Sequence, residues 1–155
     1  MENRSNTFGP HNGGAAGAST VLQIREEWRL AREAHKDLQV AGMPGTNLLL
    51  VGLPGAIRIV MEMLWQELRE PILTWRPGQT LDLPTPGRAS TLVLHDVNEL
   101  TADEQRRLLD WLDQTAGRIR VVSTTRTSVW PLLKSRAFHD ALYYRLNTVC
   151  VDIEV

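Results

Sequence analysis

The spacing of apolar residues divides the chain into three segments. Residues 1–18 carry almost no large apolar side chain, so we predict a disordered tail rich in Gly and Asn. Residues 19–42 place apolar side chains on one face at helical spacing, between a Ser-Thr cap and Gly42, which predicts an amphipathic helix. The apolar positions of that face are Val21, Ile24, Trp28, Ala31 and Leu38.

Residues 43–155 alternate between short apolar runs and stretches of helical periodicity. Such runs are typical of buried strands in a parallel sheet, and the stretches between them are typical of crossover helices. The five predicted strands cover residues 47–53, 71–75, 91–94, 119–124 and 148–153. The three predicted helices cover residues 56–68, the stretch from a capping box at Thr101 to the stop signal at Gly117, and roughly residues 131–146. We therefore predict a three-layer α/β domain with a five-stranded, mainly parallel sheet.

Composition and charge narrow the function classes. The 155 residues are 43% hydrophobic, enough for one core, and the apolar runs are far shorter than the roughly 18–20 residues of a membrane span. A net charge of −1 gives no global attraction to nucleic acid. The single cysteine, Cys150, excludes an internal disulfide, and we expect it to be a small buried residue of the last strand. No leader pattern is visible, so we expect a soluble, cytoplasmic domain without direct nucleic-acid contact.

The segment GLPGAIRI, residues 52–59, lies where a strand leads into a helix, which is the usual place of a phosphate-binding loop. A complete loop ends in Gly-Lys-Ser/Thr, because the lysine reaches the β- and γ-phosphates and the hydroxyl holds Mg²⁺. Here Gly52 and Gly55 keep the outer glycines, whereas that end reads Ile57, Arg58 and Ile59. These residues favour a tight strand-to-helix turn over a working phosphate cradle, although Arg58 keeps a positive charge.

Three downstream segments resemble the sigma-54-dependent transcription activators, bacterial enhancer-binding proteins with an AAA+ ATPase domain. Residues 90–100 (STLVLHDVNEL) are similar to the family's Walker B pattern G-T-L-F-L-D-E-V-G-E-L. Residues 119–126 (IRVVSTTR) are similar to its sensor strand V-R-I-I-A-A-T-N, and residues 138–149 (FHDALYYRLNTV) to its distinctive F-R-E-D-L-Y-Y-R-L-N-V-V. With the glycine loop, these segments follow the family's order over residues 45–153, and the resemblance implies an AAA+/P-loop-like core.

The departures from the family pattern fall on positions that would handle ATP. The Walker B aspartate and the glutamate after it match His95 and Asp96, and the sensor asparagine matches Arg126. The first arginine of F-R-x-D-L, which in the family acts on a neighbouring subunit's nucleotide, matches His139, whereas Arg145 matches its arginine. The resemblance therefore implies a degenerate nucleotide site. Its vestigial positions are Gly52, Gly55, Arg58, His95, Asp96 and Arg126.

Two further parts of the family pattern are absent from the sequence. A short Pro- and Gly-rich connection, residues 76–90, replaces the long loop whose G-A-F-T-G-A motif grips sigma-54 in the family. The chain stops at Val155, so we expect neither a helical lid subdomain nor a helix-turn-helix DNA reader. The expected domain is therefore a trimmed AAA+ core over residues 43–155.

The remaining candidate residues are assigned to structure or to a protein interface. His95 and Asp96 are neighbours at a strand and are predicted to point to opposite faces, so we expect no metal site and no catalytic pair there. Tryptophan is enriched at binding hot spots, and a changed family arginine also suggests an altered contact. The interface candidates are Trp28, Trp75, His139 and Arg145.

Together these observations predict a non-catalytic, AAA+-like pseudo-ATPase that needs no cofactor and acts through protein–protein contact. Its partner would be a second copy, a complete AAA+ protein or another bacterial assembly. The alternative is a weak ATP-binding or ATPase module of sigma-54-type transcription regulation. In that alternative Arg58 replaces the lysine and Asp96 supplies the acid for Mg²⁺.

Overall fold

The computed structural model describes residues 14–41, 46–88, 90–115 and 117–153. The first helix begins at Gly14, five residues before the predicted start at residue 19, and it ends at Ala41. Three alanines within residues 14–18 favour the helical state, which explains why the tail predicted over residues 1–18 is too long. The rest of that predicted tail, residues 1–13, lies outside the described residues.

The strands and helices of the described chain follow the predicted order, except that two helices replace the last predicted one. The helices are α1 (Gly14–Ala41), α2 (Pro54–Trp65), α3 (Ala102–Thr115), α4 (Trp130–Lys134) and α5 (Asp140–Leu146). The strands are β1 (Leu48–Gly52), β2 (Ile72–Trp75), β3 (Thr91–Leu94), β4 (Arg120–Thr125) and β5 (Val149–Ile153). A single 3₁₀ turn, Val97–Glu99, follows β3. No helix in the described residues has the length and apolarity that crossing a bilayer requires.

The five strands form one parallel sheet in the order β2-β3-β4-β1-β5. All five residues of β1 are buried, as expected for a strand that helices cover on both faces. On one face α1 and α2 pack around Leu50 and Val122, and on the other face α3 and α5 pack around Leu49 and Val121. The predicted three-layer α/β fold is therefore confirmed. The carboxyl ends of β1, β3 and β4 lie at one edge of the sheet. The predicted site residues lie at this edge, at or just after the ends of these strands.

Only the C-terminal half of α1 docks on the domain. Ala31 and Ala34 are buried in the same cluster as the apolar residues of α2, since small side chains let the two helices approach closely. Val21, Ile24 and Trp28 continue the apolar face toward the N-terminus but are 50%, 47% and 43% exposed. The predicted apolar stripe of α1 is therefore half in the core and half on the surface.

The continuous helix predicted over residues 131–146 is wrong, because α4 and α5 are separate. The chain turns at Arg136, whose φ of 59° is left-handed, and the Phe138 amide donates to the Leu132 carbonyl at 3.1 Å. This turn places Phe138, which is 2% exposed, in the core. Burying such a ring stabilises a fold by about 1.5–3 kcal/mol, which offsets the cost of interrupting the helix.

The connection over residues 76–90 contains no helix or strand among its described residues, but it folds back onto the domain. Leu81 is buried, and Nε1 of Trp111 donates to the Pro84 carbonyl at 2.6 Å. Trp75 is 3% exposed, and its Nε1 donates to the Gln79 carbonyl at 3.0 Å. The prediction that Trp75 is a surface contact is therefore wrong, because the connection covers its ring.

Cys150 is exposed, contrary to the prediction of a buried residue. β5 is an edge strand, and along it half-buried Val149 and Val151 alternate with exposed Cys150 and Asp152. Only one face of this strand is covered, so alternate residues meet solvent.

Candidate functional site

The turn between β1 and α2 contains both glycines of the predicted loop. β1 ends at Gly52 and α2 begins at Pro54, so Leu53 is the one residue between them. Gly52 has a φ of +147°, and a Cβ at this position would lie 2.5 Å from the carbonyl oxygen of Ile153 on β5. The close approach of two paired strands therefore accounts for this glycine without a ligand.

The first turn of α2 replaces the open part of a phosphate loop. A phosphate loop turns successive backbone amides toward the ligand. Here the Ile57 amide donates to the Leu53 carbonyl at 2.9 Å, which is already a helical hydrogen bond. Pro54 at the first helical position has no amide to offer. The predicted tight strand-to-helix turn matches this geometry.

The carboxylate of Glu27, on α1, lies directly over Gly55. Its atoms are the three nearest to the position that a Cβ on Gly55 would occupy. Nε2 of Gln23, one turn earlier on α1, donates to Glu27 Oε1 at 3.3 Å. A carboxylate is favourable at the N-terminus of a helix such as α2, for the same reason that a phosphate is. Glu27 therefore places a negative charge beside Gly55 at the first turn of α2.

Glu27 is not recognisable from the sequence, because it precedes the turn by more than twenty residues and no local pattern links the two. A glutamate among the other charged residues of an amphipathic helix is ordinary surface composition. Its half-buried state on α1 follows only from the docking of α1 against α2.

Arg58 and Ile59 lie within α2 rather than in a loop. Nη1 of Arg58 donates to Glu62 Oε1 at 2.7 Å, an exposed ion pair one helical turn apart. Ile59, at the position where the family pattern has the Mg²⁺-binding hydroxyl, is 1% exposed and belongs to the core beneath α2. Ile59 therefore offers no oxygen for Mg²⁺ at this position.

The ends of β3 and β4 bring three other predicted positions together. Nε of Arg126 donates to Asp96 Oδ1 at 3.1 Å, and the Asp96 amide donates to Thr124 Oγ1 at 3.3 Å. The prediction that His95 and Asp96 diverge is wrong, since both line one cleft. β3 ends at Leu94, and Asp96 is left-handed with a φ of 49°, so strand alternation no longer applies.

His95 is held at the end of β3 by its backbone amide, which donates to the Trp75 carbonyl at 3.0 Å. Partial burial lowers the pKa of its imidazole from the ordinary value of 6.5, and the positive charge of Arg76 lowers it further. The nearby Asp96 carboxylate opposes this shift. The imidazole is therefore neutral at pH 7.

A cleft of about 660 Å³ lies between α2 and the ends of β2, β3 and β4. Four vestigial positions line it, namely Arg58, His95, Asp96 and Arg126. Pro54 and Ile57 of the glycine loop also line it, whereas Gly52 and Gly55 do not. In the described residues no group of three or more His, Cys, Asp and Glu side chains could hold a metal ion.

The other interface candidates lie away from the cleft. Nδ1 of His139 accepts a hydrogen bond from the Ala141 amide at 3.2 Å, so this histidine caps α5. Arg145, near the end of α5, pairs with Asp113 of α3. Both side chains are exposed and have a structural partner. Trp28 remains exposed on α1.

The strand order, the glycine turn after β1 and the polar groups at the ends of β3 and β4 define an AAA+/P-loop-like core. The chain belongs to the Sigma-54 interaction domain family, which matches residues 18–154. This confirms the family predicted from the motifs. No curated protein sequence matches the chain.

Solved structures under 25% identity support the fold alone. NtrX from Brucella abortus in complex with ADP is 18% identical, with a TM-score of 0.53, and the match covers 86% of this chain and 35% of that one. The P-loop NTPase domain of the sigma-54 transport activator from E. coli is 21% identical, with a TM-score of 0.55 and coverage of 82% and 94%. Drosophila ORC bound to GC-rich DNA and Cdc6 is 15% identical, with a TM-score of 0.59 and coverage of 96% and 64%. The chain therefore spans little more than a third of the NtrX chain.

Proposed function

We propose that this chain is a non-catalytic member of its family, a pseudo-ATPase that acts through protein–protein contact. The observation that carries the proposal is the closed turn after β1, where α2 begins at Pro54 and Glu27 covers Gly55. A phosphate group at this turn would lie beside the Glu27 carboxylate, and the two negative charges would repel each other. No cofactor is required by this function.

The charged residues of the vestigial site support the same proposal. Arg58 pairs with Glu62 along α2, and Arg126 pairs with Asp96 at the strand ends. At these two vestigial positions the positive charge is therefore balanced by a carboxylate of the protein. A catalytic site instead keeps its cations available for the charge that develops in the transition state.

Protein–protein contact is supported by the N-terminal half of α1. Val21, Leu22, Ile24 and Trp28 are large apolar residues that are 43% to 64% exposed within two turns of one helix. Groups of exposed apolar side chains mark interaction surfaces more often than single ones do. The partner is a second copy of this chain, a complete AAA+ protein or another component of a bacterial assembly.

Calorimetric titration with ATP and with ADP, in the presence of Mg²⁺, tests the loss of nucleotide binding. The full chain is expected to produce no binding heat at protein concentrations that detect millimolar affinity. Binding would contradict the proposal if it also disappeared in Arg58→Ala or Asp96→Ala. Arg88→Ala is the matched control, because Arg88 is an exposed arginine that does not line the cleft.

The second candidate function is a weak ATP-binding module of sigma-54-type transcription regulation. The observation that favours it is the gathering of Arg58, Asp96 and Arg126 along one cleft. In this case nucleotide affinity would be measurable in the wild type, and Arg58→Ala and Asp96→Ala would each weaken it. The same titration therefore separates the two candidates.

A further inference from the structure

The two walls of the 660 Å³ cleft differ in chemistry. On the α2 side, Ile57 and Met61 are each 7% exposed at its base, and Trp65 is 42% exposed at its rim. On the side of the strand ends, the wall carries Arg76 and Arg126. A ligand that fills the cleft therefore needs both an apolar part and a polar part.

Two hydrogen-bond donors on the polar wall have no acceptor within the described residues. Within the described chain, the Arg76 guanidinium has no hydrogen-bond or ion-pair partner. Thr124 is 3% exposed, and its oxygen accepts from the Asp96 amide while its hydroxyl proton meets no acceptor in the described residues. The Asp96 carboxylate is already engaged by Arg126. Arg76 is exposed and unpaired in the described part of the chain, and the Thr124 hydroxyl can still donate, so a bound group that supplies acceptor oxygens finds two donors on this wall.

We propose that the cleft binds a small organic anion that carries an apolar ring or branched chain, such as an aromatic carboxylate. The acid lies against Arg76 and Thr124, and the apolar part lies against Met61 and Trp65. The volume falls within the range of about 300–1,000 Å³ typical of small-molecule sites. Pro54 and four of the vestigial positions line the same cleft, so this proposal rests on the proposed loss of ATP binding there.

The same chemistry can come from a free metabolite or from an acidic and aromatic segment of a partner protein. Naphthalene-2-carboxylate represents the first source, and the blocked dipeptide acetyl-Phe-Glu-amide represents the second. Calorimetry on the full chain is expected to detect at least one of them at submillimolar to millimolar affinity. The uncharged naphthalene-2-methanol is expected to bind about tenfold more weakly than the carboxylate, as the loss of a charge-assisted contact requires.

Two matched pairs of variants locate the binding. Arg76→Ala is expected to weaken binding about tenfold, whereas Arg88→Ala, the same change at an exposed site outside the cleft, changes it less than about twofold. Trp65→Ala is expected to weaken binding, whereas Trp130→Ala, at a tryptophan that is 54% exposed outside the cleft, leaves it unchanged. Thermal melts check that all four variants remain folded.

Three outcomes overturn the proposal. They are the absence of binding of both probes up to about 10 mM, equal weakening by Arg76→Ala and Arg88→Ala, and displacement of a bound probe by ATP. Nucleotide binding that does not displace the probe would count against the proposed function alone. The two proposals therefore fail in distinguishable ways.

Discussion

Gly52 and Gly55 lie in the same turn but are glycine for different reasons. A Cβ on Gly52 would meet the backbone of the paired strand β5, which cannot move without loss of the sheet. A Cβ on Gly55 would meet only the carboxylate of Glu27, which is the end of a flexible side chain. At the residue scale, the first glycine is needed for the fold and the second makes room for a contact.

We therefore expect opposite results from two alanine substitutions. Gly52→Ala lowers the free energy of unfolding by about 1–3 kcal/mol, because it adds a backbone collision at a φ that favours glycine. Gly55→Ala changes it by less than about 1 kcal/mol, since alanine favours the helix while Glu27 moves aside. Urea denaturation measures both. Equal losses in the two variants would contradict this interpretation.

His95 makes stability depend on pH. Its pKa is lower in the folded state than its ordinary value of 6.5, so the unfolded chain binds more protons between these two values. The contribution of neutral His95 to the free energy of unfolding is therefore fully present above pH 6.5. It is lost as the pH falls toward the lowered pKa of the folded state. Thermal melts at pH 7.5 and pH 5.5 are expected to show a smaller loss in His95→Gln than in the wild type. The same loss of stability in both proteins would show that His95 does not cause the pH dependence.

At the scale of elements, α1 does more than cover the sheet. Its C-terminal half buries Ala31 and Ala34 against the α2 side of the core, and Glu27, near the middle of the helix, lies beside Gly55 in the first turn of α2. The helix therefore contacts the turn that the family pattern uses for phosphate. The interaction combines apolar packing with the attraction of a carboxylate to a helix N-terminus.

Glu27→Gln tests this contribution of α1. The variant keeps the shape of the side chain but loses its charge, so we expect the free energy of unfolding to fall by about 0.3–1 kcal/mol at low salt and less at high salt. Asp37→Asn is the matched control, because Asp37 is an exposed acid of the same helix far from the α2 N-terminus. Denaturation curves at two salt concentrations make the comparison. A larger effect at Asp37 would contradict the assigned contact.

At the scale of the whole molecule, one surface combines exposure with apolar character. The apolar face of α1 continues past the docked alanines as Val21, Ile24 and Trp28. Leaving these side chains in water gives the monomer no benefit, whereas covering them in a complex does. This surface is therefore where we expect the protein partner to bind.

Trp28→Ser is expected to abolish association while lowering the free energy of unfolding by less than about 1 kcal/mol, because the ring is already 43% exposed. Tyr144→Ser, at a side chain that is 70% exposed on α5, serves as the control and is expected to change neither quantity. Light scattering and pull-downs measure the association. A wild-type protein that stays a monodisperse monomer and captures no protein would lead us to abandon the contact proposal.

Local pattern alone was enough to predict most of the architecture. The apolar run at residues 91–94 predicts β3, and the capping box at Thr101 predicts the start of α3. Both signals are local, because strand burial patterns and helix caps involve residues that are close in sequence. The motifs were likewise sufficient for the family, since the order of segments survives where individual residues have changed. The helix predicted over residues 131–146 failed because a long-range contact, the burial of Phe138, outweighs helical periodicity.

Tertiary structure alone decided the candidate site. Glu27 meets Gly55 only because α1 docks on α2, and His95 and Asp96 share a cleft only because the chain leaves β3 in a left-handed turn. Trp75 and Trp28 were both interface candidates, but Trp75 is buried under the connection whereas Trp28 is exposed on the surface. Each of these outcomes depends on contacts between residues far apart in the chain. Periodicity reports which face of an element is apolar, but it does not report what that face will meet.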